Sequence, residues 1–136
     1  ALVTDGAHVF VEDRTLEGIR DARDTMASTD LLSRLARHHG DKTAGVVSAW
    51  VDTWLSPEFR DWNIERFLPR AACPALVIQG ERDEFGTIAQ VDAIAAGSGG
   101  PVTSLVIPGI GHTPHREATA DVLDASATFI RAALGG

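Results

Sequence analysis

Asp83 and His112 have the types and surroundings for proton transfer. Asp83 closes the segment Ala75-Leu-Val-Ile-Gln-Gly-Glu-Arg-Asp83, and His112 closes Ser104-Leu-Val-Ile-Pro-Gly-Ile-Gly-His112. An imidazole titrates near neutrality and can take up and return a proton, and a carboxylate held at one ring nitrogen leaves the other free as the base. Together they suggest a catalytic pair, provided the two loop tips meet. Near-continuous apolar runs of this kind read as buried parallel strands, and in open α/β sheets chemistry collects at the carboxyl ends of such strands. The two residues lie 29 positions apart. That leaves room for the crossover helix a parallel pair needs, and Thr87 to Gly97 supplies one, with Ile88, Val91 and Ile94 on one face.

Other reactive side chains compete for attention. Glu81 and Glu84 flank Asp83 in the run Glu81-Arg-Asp-Glu84, which also reads as a solvated charged turn. Gly109 and Gly111 before His112 could serve only to turn the backbone. His115 forms an H-x-x-H pair with His112, yet no third ligand has convincing spacing, so no metal site is expected and the chemistry calls for no cofactor. His38 and His39 fit the last turn of a helix, where positive charge is favourable. Cys73, the only cysteine, has no internal disulfide partner and reads as structural, directly before Pro74. Of the aromatic set Trp50, Trp54, Phe59, Trp62 and Phe67, Trp50 and Trp54 share a helical face and are the candidates for substrate contact, although packing is the default for all five.

The elements that must position these groups change character near Pro74. Before it the apolar spacing is helical: Leu16, Ile19 and Met26, then Leu31, Leu32 and Leu35, then Val46, Val47, Trp50 and Trp54. Ser28 or Thr29 can cap the second helix, Gly40 can end it, and Asp41 can accept backbone N–H bonds from the third. Glu58 to Leu68 carries aromatics too closely for one stripe and is expected as short turns packing onto the core. After Pro74 the order is strand, helix, strand, helix, the last helix spanning about 117–134 with Val122, Ser126, Phe129 and Ala133 on one side. His8-Val-Phe-Val11 is expected to be a strand end leading into the helices.

With 136 residues, 44% hydrophobic, the chain fits one globular domain or part of a larger one. A net charge of −7 with scattered basic residues argues against a nucleic-acid partner. No stretch has the length and apolarity of a membrane span, and the N-terminus lacks the pattern of a signal peptide, so a cytoplasmic location is expected.

The stretch Gln79-Gly-Glu-Arg-Asp83, a helix, a second strand and then Gly109-Ile-Gly-His112 resembles the C-terminal part of an α/β-hydrolase, where G-x-x-D carries the triad acid and G-x-G-H the triad histidine. The helical front half, entered through His8 to Glu12 and closed by Asp61-Trp-Asn-Ile-Glu65, is similar to the cap inserted before the acid-bearing strand in many such enzymes. The resemblance implies an α/β class with a short parallel sheet remnant of about three strands and flanking helices. It divides the chain into a strand end at 1–12, an all-helical cap at 13–70 and a C-terminal α/β part at 71–136.

The same resemblance implies a nucleophile on a G-x-S-x-G elbow, and none of the seven serines lies in such a motif. The expectation is therefore the cap and acid–histidine portion of a serine-type hydrolase acting on a small ester or similar carbonyl substrate, or on a carbon–carbon bond of the β-diketone type. It would be inactive until completed by an N-terminal half. The competing expectation is a non-catalytic interaction or scaffold module that self-associates through an uncovered sheet edge.

Overall fold

A computed structural model describes residues 1–135. Three parallel strands, β1 (Leu2–Asp5), β2 (Ala75–Gly80) and β3 (Val102–Ile107), lie in the order β1-β2-β3. Leu2 pairs with Ala75 and Asp5 with Ile78 on one side of β2, and Ala75 pairs with Val102 and Gly80 with Ile107 on the other. Every residue of β2 is buried, as its unbroken apolar run requires of a central strand covered on both faces.

Between β1 and β2 the chain forms α1 (Asp13–Ser28), α2 (Leu31–His39) and α3 (Thr43–Leu55), followed by single turns at Pro57–Phe59 and Glu65–Arg70. After β2 come α4 (Ala89–Gly97), then β3, α5 (Pro114–Glu117) and α6 (Thr119–Ala133).

Alternation along β2 divides the core. Val77 packs with Val91 and Ile94 of α4 and with Val9, whereas Leu76, Ile78 and Ile107 pack with Val122, Ala125 and Phe129 of α6. The helices before β2 build their own cluster from Ile19, Met26 and Val51, joined by Trp54 and by Phe85 of the acid-bearing turn. Burying a side chain such as Ile78 or Ile19 contributes about 1.5–3 kcal/mol. Gly18 sits in mid-α1 against propensity for a packing reason: a Cβ there would stand 2.3 Å from the Glu84 carbonyl oxygen, so only glycine lets α1 close on that turn.

Several expectations need correction. The N-terminal strand is Leu2–Asp5, where pairing with β2 outweighs the polar Thr4 and Asp5, and His8–Val11 is irregular apart from one antiparallel bridge between Phe10 and Asn63. Asp41 does not cap α3; it lies in the turn Gly40–Lys42, and Thr43 donates its hydroxyl to the Gly40 carbonyl instead. Ser28 bonds back to the Asp24 carbonyl, while the Thr29 hydroxyl accepts from the Leu31 N–H at 3.3 Å.

The last helix is broken at Ala118, whose φ of −133° leaves helical space; Val122, Ser126, Phe129 and Ala133 are half-buried on its inner side, and Ala125 joins them there. Phe67 does not pack inward. It is 43% exposed, with the guanidinium of Arg66 4.7 Å and that of Arg70 5.6 Å from its ring centre, so cation–π contact replaces burial. Cys73 is exposed, at the mouth of β2.

Candidate active site

Because β2 and β3 are adjacent and parallel, the loops leaving their carboxyl ends emerge side by side. Backbone bonds stitch those loops together beyond the strands: Glu81 N–H donates to the Ile107 carbonyl at 3.0 Å and Arg82 N–H to the Ile110 carbonyl at 2.8 Å. The closeness depends on Gly80, since a Cβ there would lie 2.1 Å from the Gly111 carbonyl oxygen and 2.3 Å from that of Ile110. The two competing acids bind the same loop by its backbone: Glu81 accepts from the Gly109 N–H at 2.9 Å and Glu84 from the His112 N–H at 3.1 Å. Neither carboxylate bonds an imidazole among the described residues.

Asp83 is the acid that meets the ring. His112 Nδ1 stands 3.0 Å from Oδ1 and 2.9 Å from Oδ2 of a carboxylate whose side chain is fully buried. That carboxylate also accepts the backbone N–H groups of Phe85 at 2.8 Å and Gly86 at 3.2 Å on Oδ1, and the Gln79 amide at 2.9 Å on Oδ2. An ionised carboxylate only accepts, so His112 Nδ1 carries the hydrogen and the lone pair is left on Nε2. The His112 side chain is 31% exposed, and Nε2 has no partner among the described residues.

Each member shifts the other. Burial alone pushes the Asp83 carboxyl up and is the largest single influence. The hydrogen bond from His112, the Phe85 N–H, the charge of His112 and the Gly86 N–H together outweigh it and hold the group below the ordinary aspartate value. The hydrogen bond to Asp83 raises His112 above 6.5 against the opposing effect of burial, helped by the charges of Asp83, Glu84 and Asp5. His8 moves the other way, lowered by burial and then by the charge of His112.

A cavity of about 270 Å³ opens on the ring of His112, lined by Gly6, His8, Thr15, Ile19, Trp50, Trp54 and Phe85. The structure thus brings Trp50 and Trp54 together with the acid–histidine pair, one wall from α3 and one rim from the sheet. Phe85 contacts His112 edge-on at 4.7 Å between ring centres and Trp50 at 6.1 Å. Phe59 and Trp62 stack on each other at 5.5 Å and support Trp54 from behind without lining this cavity. A more open groove of about 380 Å³, between Phe10–Val11 and Arg60–Glu65, is lined by neither member of the pair.

His115 turns from His112 to Asp5, which accepts from both its backbone N–H and its ring at 3.2 Å and 2.9 Å. His38 and His39 end α2 on the surface.

Four contributors escaped the sequence reading. Gln79 supports Asp83 and also donates to the Gly86 carbonyl at 3.0 Å; its signal was a lone amide at the end of an apolar strand. Gln90, an amide on the apolar face of α4, accepts from Val9 N–H at 2.8 Å and donates to the Phe10 carbonyl at 3.1 Å, holding the irregular entry segment in place of a strand partner. Glu12 ties that segment to α4, accepting from the Thr87 N–H at 2.9 Å and from the Gln90 amide at 2.6 Å. Glu117 folds back to accept from Gly111 N–H at 3.0 Å and from the Thr113 hydroxyl at 2.9 Å, which shapes the histidine loop and lowers its own pKa through those bonds.

No family model matches the chain, and no curated protein matches it in sequence. Solved structures do match in fold. NosK from Streptomyces actuosus superimposes with a TM-score of 0.72 at 21% identity, over 97% of this chain and 58% of that one. A membrane phospholipase A, described as a bacterial virulence factor, gives 0.70 at 16% identity over 100% and 50%. The meta-cleavage product hydrolase CumD from Pseudomonas fluorescens IP01 gives 0.68 at 18% identity over 96% and 55%. The chain therefore spans between half and three-fifths of the length of these structures, and it carries part of the α/β-hydrolase fold.

Proposed function

We propose that this part of an α/β-hydrolase fold supplies the acid, the histidine and the helical cap of a serine-type hydrolase acting on a small ester or similar carbonyl substrate. One observation carries the reading: a buried carboxylate with both oxygens on His112 Nδ1, at the carboxyl rim of adjoining parallel strands, beneath an aromatic cavity. In this reading His112 Nε2 takes the proton of a serine hydroxyl as that oxygen attacks the carbonyl carbon, then returns it to the leaving group. Water then repeats the sequence to release the acid product. Asp83 keeps the ring in its Nδ1–H form and stabilises the transient imidazolium without accepting the proton. Trp50 and Trp54 enclose the apolar part of the substrate.

The serine comes from a segment outside residues 1–136. Strand β1 pairs with β2 on one side only among the described residues, and that free edge suits a further strand bearing a G-x-S-x-G elbow. The same edge would also suit a second copy of the chain in a non-catalytic assembly, which light scattering on the purified chain would detect as a stable dimer. No helix is long and apolar enough to cross a membrane among the described residues.

The direct test joins a hydrolase N-terminal half carrying the elbow to Ala1 and follows p-nitrophenyl acetate. Saturable turnover that falls by about 10²–10⁴-fold in His112→Ala is expected, with residues 1–136 alone near background. A folded joined protein whose turnover ignores His112→Ala refutes the reading. So does saturable, His112-dependent turnover by the chain alone, which would place the nucleophile inside it.

A further inference from the structure

We propose that His8 is a specificity-determining hydrogen-bond donor, its Nε2–H presented to the cavity it shares with His112, where it holds an oxygen of a neutral carbonyl compound with an apolar or aromatic body. The inference rests on the hydrolase reading above and adds the class of molecule the site takes.

The two imidazoles meet edge-on in the cavity wall with ring centres 5.9 Å apart, and Trp54 meets His8 edge-on at 5.8 Å. His8 Nδ1 is sealed from solvent and has no hydrogen-bond partner. Nε2 has none among the described residues either, but it is not sealed, and the ring lines the cavity wall. A buried donor without an acceptor is the costlier of the two defects, so the hydrogen belongs on Nε2, where the cavity can supply an acceptor, and the bare lone pair on Nδ1. Protonation would place a second, stranded N–H at Nδ1. Burial and the charge of His112 oppose it, against the weaker pull of Asp83 and Glu12. His8 is thereby kept as a neutral donor while His112 is kept basic, so that two imidazoles in one cavity are fitted for different tasks.

The remaining lining selects the ligand. Ile19, Trp50, Trp54 and Phe85 offer apolar and aromatic surface, and no lysine or arginine lines the cavity. Arg14, which donates to the Asp83 carbonyl at 3.3 Å, does not line the cavity, and His112 is paired with the Asp83 carboxylate, so an anionic substrate would meet no uncommitted cation, whereas a neutral ester or ketone needs none. At about 270 Å³ the space lies below the range of drug-sized sites, which suits a compound with one ring or a short chain.

The test compares acetophenone, which has the oxygen, with ethylbenzene, which lacks it, as NMR-titrated ligands of the 136-residue chain. His8→Leu is expected to weaken acetophenone by up to about tenfold, the range of a neutral hydrogen bond, and to leave ethylbenzene unchanged. His8→Gln, which restores an N–H of similar reach, should recover most of the loss. Nitrogen-15 shifts of the wild-type imidazoles should show His8 neutral and protonated at Nε2 at pH 6.5, where an ordinary histidine is half charged. Equal weakening of both ligands, weakening of neither, no binding of either ligand to the wild type, or a His8 charged or protonated at Nδ1 overturns the proposal. None of these readouts needs a serine or turnover, so they fail separately from the esterase test, which alone bears on the acid–histidine reading.

Discussion

Replacing Asp83 with asparagine keeps the shape of the side chain and inverts one of its two hydrogen-bonding ends. Oδ1 accepts two backbone N–H groups, Oδ2 accepts the Gln79 amide, and both face His112 Nδ1. Whichever way the new amide turns, its NH₂ confronts a donor. The cheaper choice is the Oδ2 side, because Gln79 still has the Gly86 carbonyl. One stranded donor and the lost charge-assisted bond to His112 would together cost about 3–5 kcal/mol. The His112 side chain is 31% exposed and recovers water, which places the loss near 3 kcal/mol, or about 10 °C in Tm for a chain of this size.

The pH dependence has a definite sign. Asp83 is held below 3.8 in the folded chain, so its contribution is complete above that value and is lost as pH falls through the folded pKa. His112 is held above 6.5, so its contribution is complete below 6.5 and is lost as pH rises through its folded pKa. The gap between wild type and Asp83→Asn should therefore be widest from about pH 4 to 6.5 and narrow on either side. Urea unfolding at a series of pH values, with His112 titrated by NMR in both proteins, measures it. Equal midpoints across that window, or a His112 in the variant that still titrates above its ordinary value, would refute the argument.

Three further outcomes are expected. Gly80→Ala should cost about 1–3 kcal/mol or more, because the new Cβ meets two backbone carbonyls that cannot swing away, and His112 should titrate nearer its ordinary value as its loop is displaced. Thermal melting and the His112 titration check it together. Gln90→Leu leaves the Val9 N–H and the Phe10 carbonyl without their partner, for a loss of about 2–4 kcal/mol by urea denaturation. Arg60→Ala breaks an ion pair whose side chains are 44% and 84% exposed, and should change the unfolding midpoint by no more than about 0.5 kcal/mol equivalent.

Those strands and helices were legible that carry an unbroken apolar run or a single helical stripe. The apolar runs announce β2 and β3 as strands, and with them the rim on which Asp83 and His112 meet, but only β2 is buried throughout as such a run suggests; β3, at the edge of the sheet among the described residues, is largely open. The spacing of Trp50 and Trp54 announces the face that lines the cavity. What stayed hidden depends on partners distant in sequence. Thr4 and Asp5 become strand only because β2 lies beside them, and His8 is held where it is by an amide some eighty residues away. The choice among three acids was equally invisible in the run itself, because Glu81, Asp83 and Glu84 all bind the histidine loop, and what sets Asp83 apart is its burial and the donors Phe85, Gly86 and Gln79 that the fold brings to it. The break at Ala118 follows from Glu117 turning its carboxylate back to Gly111 and Thr113, a bond that helical propensity does not register.

Helix α1 is fastened at two points: Glu12 grips Thr87 and Gln90, and Gly18 lets the Glu84 carbonyl press against the helix. These contacts tie it directly to the acid-bearing turn and to the start of α4. α2, in contrast, has no fully buried residue and no such fastening. α2 contributes no residue to the cavity wall, so its local opening, read as early exchange of the amide hydrogens of 31–39, should leave the alignment of carboxylate and ring undisturbed.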